Sequence, residues 1–440
     1  MSIIDFSDKG YTILLLGFAM LAGLMMTRVI KPLGLPAVTG YLLAGLLVGP
    51  CCLGALGIGF TSFEQVGQLG IISDVALGFI AFSIGNEFRL SALRQTGKQA
   101  TVIAIVQALS ATVLVDLMLL GAYYLFDLRK YLGVETCIVL GAIATATAPA
   151  ATLMVVNQYK AKGPLTSLLL PIVALDDAVG LIVFAISFGV AKTINSGAEM
   201  SIISVLVNPL LEVVLSLVLG TIMGILFTGA EKLFHSNSKR ISISITFVFF
   251  TVALSMLEIH IPGSEIEIGF SSLLVCMMLG TVFCNICDFS EDIMERVDRW
   301  AQPLFVLFFV LSGAELDLRV FSSLVVVAIG VLYMVARSAG KYLGARASAK
   351  LMHCDHTIQK YLGITLLPQA GVALGMSVTV AAELGSEGSI IRSIVLFAVL
   401  IYELVGPMLT KIALTKAGEI QPRPAGQDRS RFRPWKEQKK

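Results

Sequence analysis

The chain is 440 residues long, 56% hydrophobic and only 14% charged, with a mean hydropathy of +0.86. Soluble domains carry roughly 25% charged residues, so the composition excludes a water-soluble enzyme or binding module and requires an all-α polytopic membrane protein. The net charge of +2 decides nothing, because in a membrane the placement of Lys and Arg matters and their sum does not.

The first apolar segment follows Asp5, Asp8 and Lys9 and lacks a basic start with a small-residue cleavage site, so it reads as a retained helix. Apolar stretches predict thirteen spans, at about 11–27, 36–52, 66–88, 100–125, 135–157, 164–191, 202–230, 241–259, 268–287, 302–316, 322–345, 357–382 and 391–413. Arg28 and Lys31, Arg89, Arg94 and Lys98, Lys160 and Lys162, Lys232, Lys239 and Arg240, and Arg346 and Lys350 then fall on one side. Glu64, the run from Glu258 to Glu267, Glu383 and Glu387 fall on the other, with Arg129 and Lys130 as exceptions. The positive-inside rule makes the first side cytoplasmic, with the N-terminus outside and the C-terminus inside. Residues 417–440 read as a basic cytoplasmic tail, disordered near anionic lipid, too short for a nucleotide-binding domain.

Seven scattered cysteines give no framework, and Cys284 and Cys287 lack a second pair for a zinc site. The group His353, Cys354, Asp355 and His356 reads as a solvated loop rather than a metal site. No cofactor, no catalytic residue and no nucleic-acid partner is expected.

Carriers are built from inverted repeats whose corresponding helices are interrupted by Gly or Pro. The fifth span carries Thr145, Thr147, Pro149 and Thr152, and the twelfth carries Thr365, Pro368, Gln369 and Gly371. Each is followed by a span with an intramembrane acid in the same local pattern, Asp177-Ala-Val-Gly180 and Glu403-Leu-Val-Gly406. Spans one to six and eight to thirteen therefore read as two repeats, with the seventh as a linker. A proline deletes one N–H and frees the carbonyl four residues earlier, which is Thr145 for Pro149 and Ile364 for Pro368. Such bare backbone is tolerated at membrane depth only where it lines a cavity; the plainer reading of either break alone is a packed kink.

Asp176 and Asp177 interrupt the sixth span, where an ionised group costs about 2.5 to 3.5 kcal/mol on insertion scales. If the helix enters near Leu165, Asp177 lies about 18 Å deep, close to the midplane. Neighbours on one helix point about 100° apart, so the two acids cannot share a proton and must do different things. One faces the cavity as the cation and proton site, together with the oxygens of Thr145 and Thr147. The other reaches to a cation on an adjacent helix, either Arg337 or Lys341, which share a face; Arg337 is the deeper, and snorkelling is the plainer reading of Lys341. Glu403 is a secondary candidate as the counterpart of Asp177, and Asp116, Glu315 and Asp74 rank lower, as polar contacts between helices.

The run Leu35-Pro36 to Gly40, Gly45 and Gly49-Pro50, the Asp pair, Pro303 to Gly313 and Asp317, and Leu367-Pro-Gln-Ala-Gly371 together resemble the second family of the cation:proton antiporter superfamily. The resemblance runs from Tyr11 to Leu414. It implies a homodimer in a bacterial inner membrane, with a core of about 100–191 and 322–413 moving against a dimer domain of about 11–88 and 202–316, and with the broken helices crossing at the ion site. It also implies that Asp177 takes the cation or proton, that Asp176 pairs with the basic residue, and that Na+ is exchanged for H+, with Li+ or K+ as alternatives. Many members pair a Lys that can lose its proton; Arg337 as partner would instead favour one-for-one exchange. A passive cation channel and a potassium-efflux-type transporter are the competing readings. An intramembrane aspartyl protease is disfavoured because its acids must converge from two helices.

Overall fold

The computed structural model describes residues 8–33, 35–85, 90–125, 132–196, 208–257, 259–260, 267–316, 318 and 323–420. The sequence readings placed on Asp5, Arg89, Arg129, Lys130, most of the run between Glu258 and Glu267, Asp317 and the tail from Gln421 onward lie outside these residues.

The described helices are, in order, α1 (Asp8–Ile30), α2 (Ala37–Val48), α3 (Phe63–Gly67), α4 (Gly70–Gly85), α5 (Leu90–Leu125), α6 (Val134–Ile143), α7 (Pro149–Tyr159), α8 (Pro164–Ser196), α9 (Asn208–Lys232), α10 (Asn237–Ser255), α11 (Ser272–Ile286), α12 (Ser290–Ala314), α13 (Leu324–Leu351), α14 (His356–Thr365), α15 (Gly371–Glu383) and α16 (Gly385–Lys416). A two-residue antiparallel pair, β1 (Ile259–His260) with β2 (Glu267–Ile268), closes the connection between α10 and α11. Among the described residues eight helical segments are long and apolar enough to cross a membrane, and α4, α6 and α11 are shorter apolar helices. Every predicted span has a helix or a pair of half-helices in its place.

Two details differ from the hydropathy reading. The tenth span is the second half of a longer helix: α12 starts at Ser290, and its first turns carry the exposed pairs Asp292 with Arg296 and Glu295 with Arg299, too polar to register as apolar. The packed body also runs past residue 416. Glu419 is buried, and its carboxylate accepts the N–H of Leu165 and of Thr166 at 2.6 and 2.7 Å and the Thr166 hydroxyl at 2.5 Å. A carboxylate is favoured at a helix N-terminus by the exposed amides and the helix dipole, so the end of the chain's packed part caps α8.

The helices pack as two neighbourhoods. In one, α1 and α2 lie against each other and against α12, and α4 joins α12, α10 and α11, which in turn holds α9. In the other, α5, α6 and α8 pack together, while α13 packs along α5 and against α14 and α16. The α5 and α13 backbones approach closely because Gly340 and Gly344 face Ala111 and Ser110; a methyl on Gly340 would stand 2.6 Å from the Ala111 Cα. That approach brings the two cations of α13 towards the acids of α8.

Candidate ion site at the crossing of two broken helices

Both half-helix pairs break where the prolines predict. The gap 144–148 separates α6 from α7, whose first residue is Pro149, a position where a missing N–H costs no helical bond. The gap 366–370 contains Pro368 and Gln369 and separates α14 from α15, which starts at Gly371. The gaps cross each other: the Ala148 N–H donates to the Pro368 carbonyl at 2.9 Å, and the Gln369 amide donates to the Ile143 carbonyl at 2.9 Å and to the Tyr333 hydroxyl at 3.0 Å.

Two cations from α13 fill this crossing. Arg337 is fully buried and donates through Nε to Ala144 O (3.0 Å), through one terminal nitrogen to Leu367 O (2.7 Å) and through the other to Ala146 O (2.6 Å). Its guanidinium also lies over the Tyr402 ring, 4.6 Å from the centroid. Lys341, equally buried, spends its three N–H donors on the Thr145 carbonyl at 2.5 Å, the Thr147 hydroxyl at 2.7 Å and the Asp176 carboxylate at 2.7 Å. Asp176 further accepts from the Thr147 hydroxyl and from the Gln107 amide.

The ion pair is therefore Lys341 with Asp176, not the pairing with the deeper Arg337 that the sequence favoured. The reason is shape. A planar fork of donors suits several carbonyls spread over two chain breaks, whereas a compact ammonium one helical turn further on fits among an acid, a hydroxyl and one carbonyl.

Asp177 is the opposite case. It is 2% exposed, and neither carboxylate oxygen has a hydrogen-bond partner. Gly180, on the same face of α8, lies against Thr145: a methyl there would stand 3.1 Å from the Thr145 hydroxyl oxygen. The unpartnered carboxylate thus belongs to the helix face that meets the first gap. Buried carboxylates in folded proteins are nearly always hydrogen-bonded or paired, so Asp177 is an exception that calls for an explanation.

Two expected donors behave differently from the sequence reading. Thr145 has both oxygens engaged, the hydroxyl donating to Ala142 O at 2.7 Å and the carbonyl accepting Lys341. The carbonyl freed by Pro368, that of Ile364, accepts the Leu367 N–H at 3.4 Å, and Leu367 presents its own carbonyl to Arg337 instead. Asp116 sits beside Gly141 with one oxygen unpartnered, at the packing of α5 on α6 and away from the acid pair. Among the described residues no group of three or more His, Cys, Asp or Glu gathers as a metal cluster.

Gln107 and Tyr333 were not singled out from sequence. A lone amide in the otherwise apolar middle of α5 was the available signal for Gln107.

Residues 16–416 match the family described as sodium/hydrogen exchanger, transmembrane. The chain belongs to that exchanger family. It is a multi-pass membrane transporter of the cation/proton antiporter class. Similar curated exchangers include the Na(+)/H(+) antiporter NhaS4 of Synechocystis sp., 25% identical over 91% of this chain and 95% of its own length. The K(+)/H(+) antiporter subunit KhtU of Bacillus subtilis is 23% identical over 83% of this chain and 85% of its own length. Two structures of the sodium proton antiporter MjNhaP1 from Methanocaldococcus jannaschii share the exchanger fold. One has a TM-score of 0.65 at 18% identity, covering 93% of this chain and 99% of that one. The other, from electron microscopy, has 0.71 at 16% identity, covering 95% and 100%.

Proposed function

We propose that this exchanger moves Na+ against H+ by alternating access, with Li+ and K+ as the other monovalent candidates, and that Asp177 carries the cation and the proton by turns. The unpartnered carboxylate of Asp177, beside an Asp176 whose oxygens are committed, carries this reading. An enclosed carboxylate with no donor must be neutralised by a cation or a proton. One group serving both makes their binding mutually exclusive, which is what couples the two fluxes. Oxygens of Thr145 and Thr147 complete the cation's shell once the local bonds rearrange, as hard donors suited to a small cation.

Lys341 as the partner changes the expected stoichiometry. When an arriving cation draws on Asp176, the ion pair opens and Lys341 releases its proton, so two protons move against one cation and exchange carries net charge. The one-for-one expectation rested on Arg337, which stays protonated. Na+ in the name of NhaS4 and K+ in that of KhtU keep both cations open to test. The moving body is taken to be about 100–191 with 322–413, against about 11–88 with 202–316, in a homodimer of a bacterial inner membrane with the C-terminus cytoplasmic. The short loops rich in Lys and Arg support that orientation.

The test is Asp177→Asn in proteoliposomes. The variant is expected to insert normally and to show no proton flux driven by a cation gradient; full activity would overturn the assignment. A wild type that passes cations without moving protons would be a channel.

A further inference from the structure

The acid-x-x-Gly pattern of the first repeat is matched in space as well as in sequence. Gly180, one turn beyond Asp177, abuts Thr145 in the first gap, and Gly406, one turn beyond Glu403, abuts Pro368 in the second, where a methyl would stand 3.0 Å away. Glu403 thus occupies, relative to the second break, the place Asp177 occupies relative to the first.

Its surroundings reinforce the parallel. Glu403 is 5% exposed, and its Oε2 has no hydrogen-bond partner. The two buried cations of the crossing are committed elsewhere, Arg337 to three carbonyls and Lys341 to Asp176, Thr147 and Thr145. Among the described residues, Glu315, an exposed acid just after α12, lies within electrostatic range of Glu403, and Asp74, an exposed acid of α4, lies within range of Glu315. The charges acting on Asp177 are a different set, Asp176 and Lys341. Ser83, near the C-terminal end of α4, bonds Asp298 in the first half of α12, whereas Asp74 lies near the start of α4 and Glu315 just after the end of α12, on the other side of that contact. Among the described residues these three acids therefore form a series towards the crossing with no counter-cation among them.

A polar contact between helices would give Glu403 a donor, and a buried acid facing another acid is the reverse of a stabilising arrangement. What satisfies both is a cation between them. We propose that Glu403, backed by Glu315, is a second monovalent-cation station, on the path to the crossing and separate from Asp177. It rests on the antiporter reading above and adds a site to it.

The experiment measures thermal unfolding of the full chain in detergent as NaCl, LiCl or KCl replaces choline chloride. Bound cation raises the unfolding midpoint. Asp177→Asn is expected to keep part of the wild-type shift, and Asp177→Asn with Glu403→Gln to lose it. The proposal is overturned if Asp177→Asn alone removes the whole shift, or if the double variant keeps what the single one kept. In proteoliposomes, Glu403→Gln should raise the half-saturating cation concentration about tenfold, the equivalent of one lost charge contact. Glu315→Gln should move it the same way by less, which guards against a folding defect at position 403; no change in either variant overturns the proposal. Failure of the antiporter reading is distinguishable, because it would appear as an active Asp177→Asn whatever Glu403 does.

Discussion

The two gaps that cross at the centre of the molecule share a frame and are used unequally. The first surrenders three consecutive carbonyls, those of Ala144, Thr145 and Ala146, to Arg337 and Lys341, while the second gives only that of Leu367. The acids differ in the same sense: Asp177 has a neighbour that holds a lysine, and Glu403 has a neighbour, Tyr402, whose hydroxyl donates to Met334 O and lies 2.8 Å from the Ser338 hydroxyl. Repetition supplies two broken helices and two acids. The positive charge of α13 is concentrated on the first of them.

Arg337 ties that asymmetry together, so its removal should have the largest effect. Arg337→Ala leaves three buried carbonyls without donors, and at about 1–3 kcal/mol each the expected loss is about 3 kcal/mol or more, read as a lowered unfolding midpoint and poor recovery of inserted protein. Arg337→Lys should recover only part, because one ammonium cannot span both gaps. A variant as stable as the wild type would mean that the crossing is held by its own backbone. Next comes Lys341→Arg, which keeps the charge but not the ability to lose a proton. Exchange should slow by about tenfold and its net charge movement vanish in a potential-sensitive dye assay; a wild type that already moves no charge would refute the two-proton step. The smallest effect sharpens the contrast between the gaps themselves. Gly406→Ala presses on the stiff ring of Pro368 and should destabilise by about 1–2 kcal/mol. Gly180→Ala meets only the Thr145 hydroxyl oxygen, whose bond to Ala142 O it would strain, and the gain in helix propensity of about 1 kcal/mol should offset that and leave it near neutral. The opposite ranking would show that the first gap is the rigid one.

Much of the frame was readable because its signals are local. Proline positions marked both breaks, and Pro149 pointed to the carbonyl of Thr145, which Lys341 takes up. The acid pair stood out because little else in its span is polar. What could not be read depends on how helices cross. Arg337 and Lys341 lie on one face of α13, and depth along that helix does not say which of them lies beside α8. Pro368 pointed to Ile364, but the chain turns within the gap and offers Leu367 instead. Glu419 was read as the beginning of a tail because a single acid among Gly, Ala and basic residues carries no periodic signal; its partners lie some 250 positions away.

That separation bears on how the molecule is made. A ribosome releases Leu165 and Thr166 long before Glu419, so the helix with the acid pair enters the bilayer with its first amides uncapped. It waits for all of α9 to α16 to be synthesised before the cap arrives. Assembly of the transport machinery is thus timed by the far end of the polypeptide, and a nascent chain arrested before that point would hold both aspartates on a helix whose start is still open.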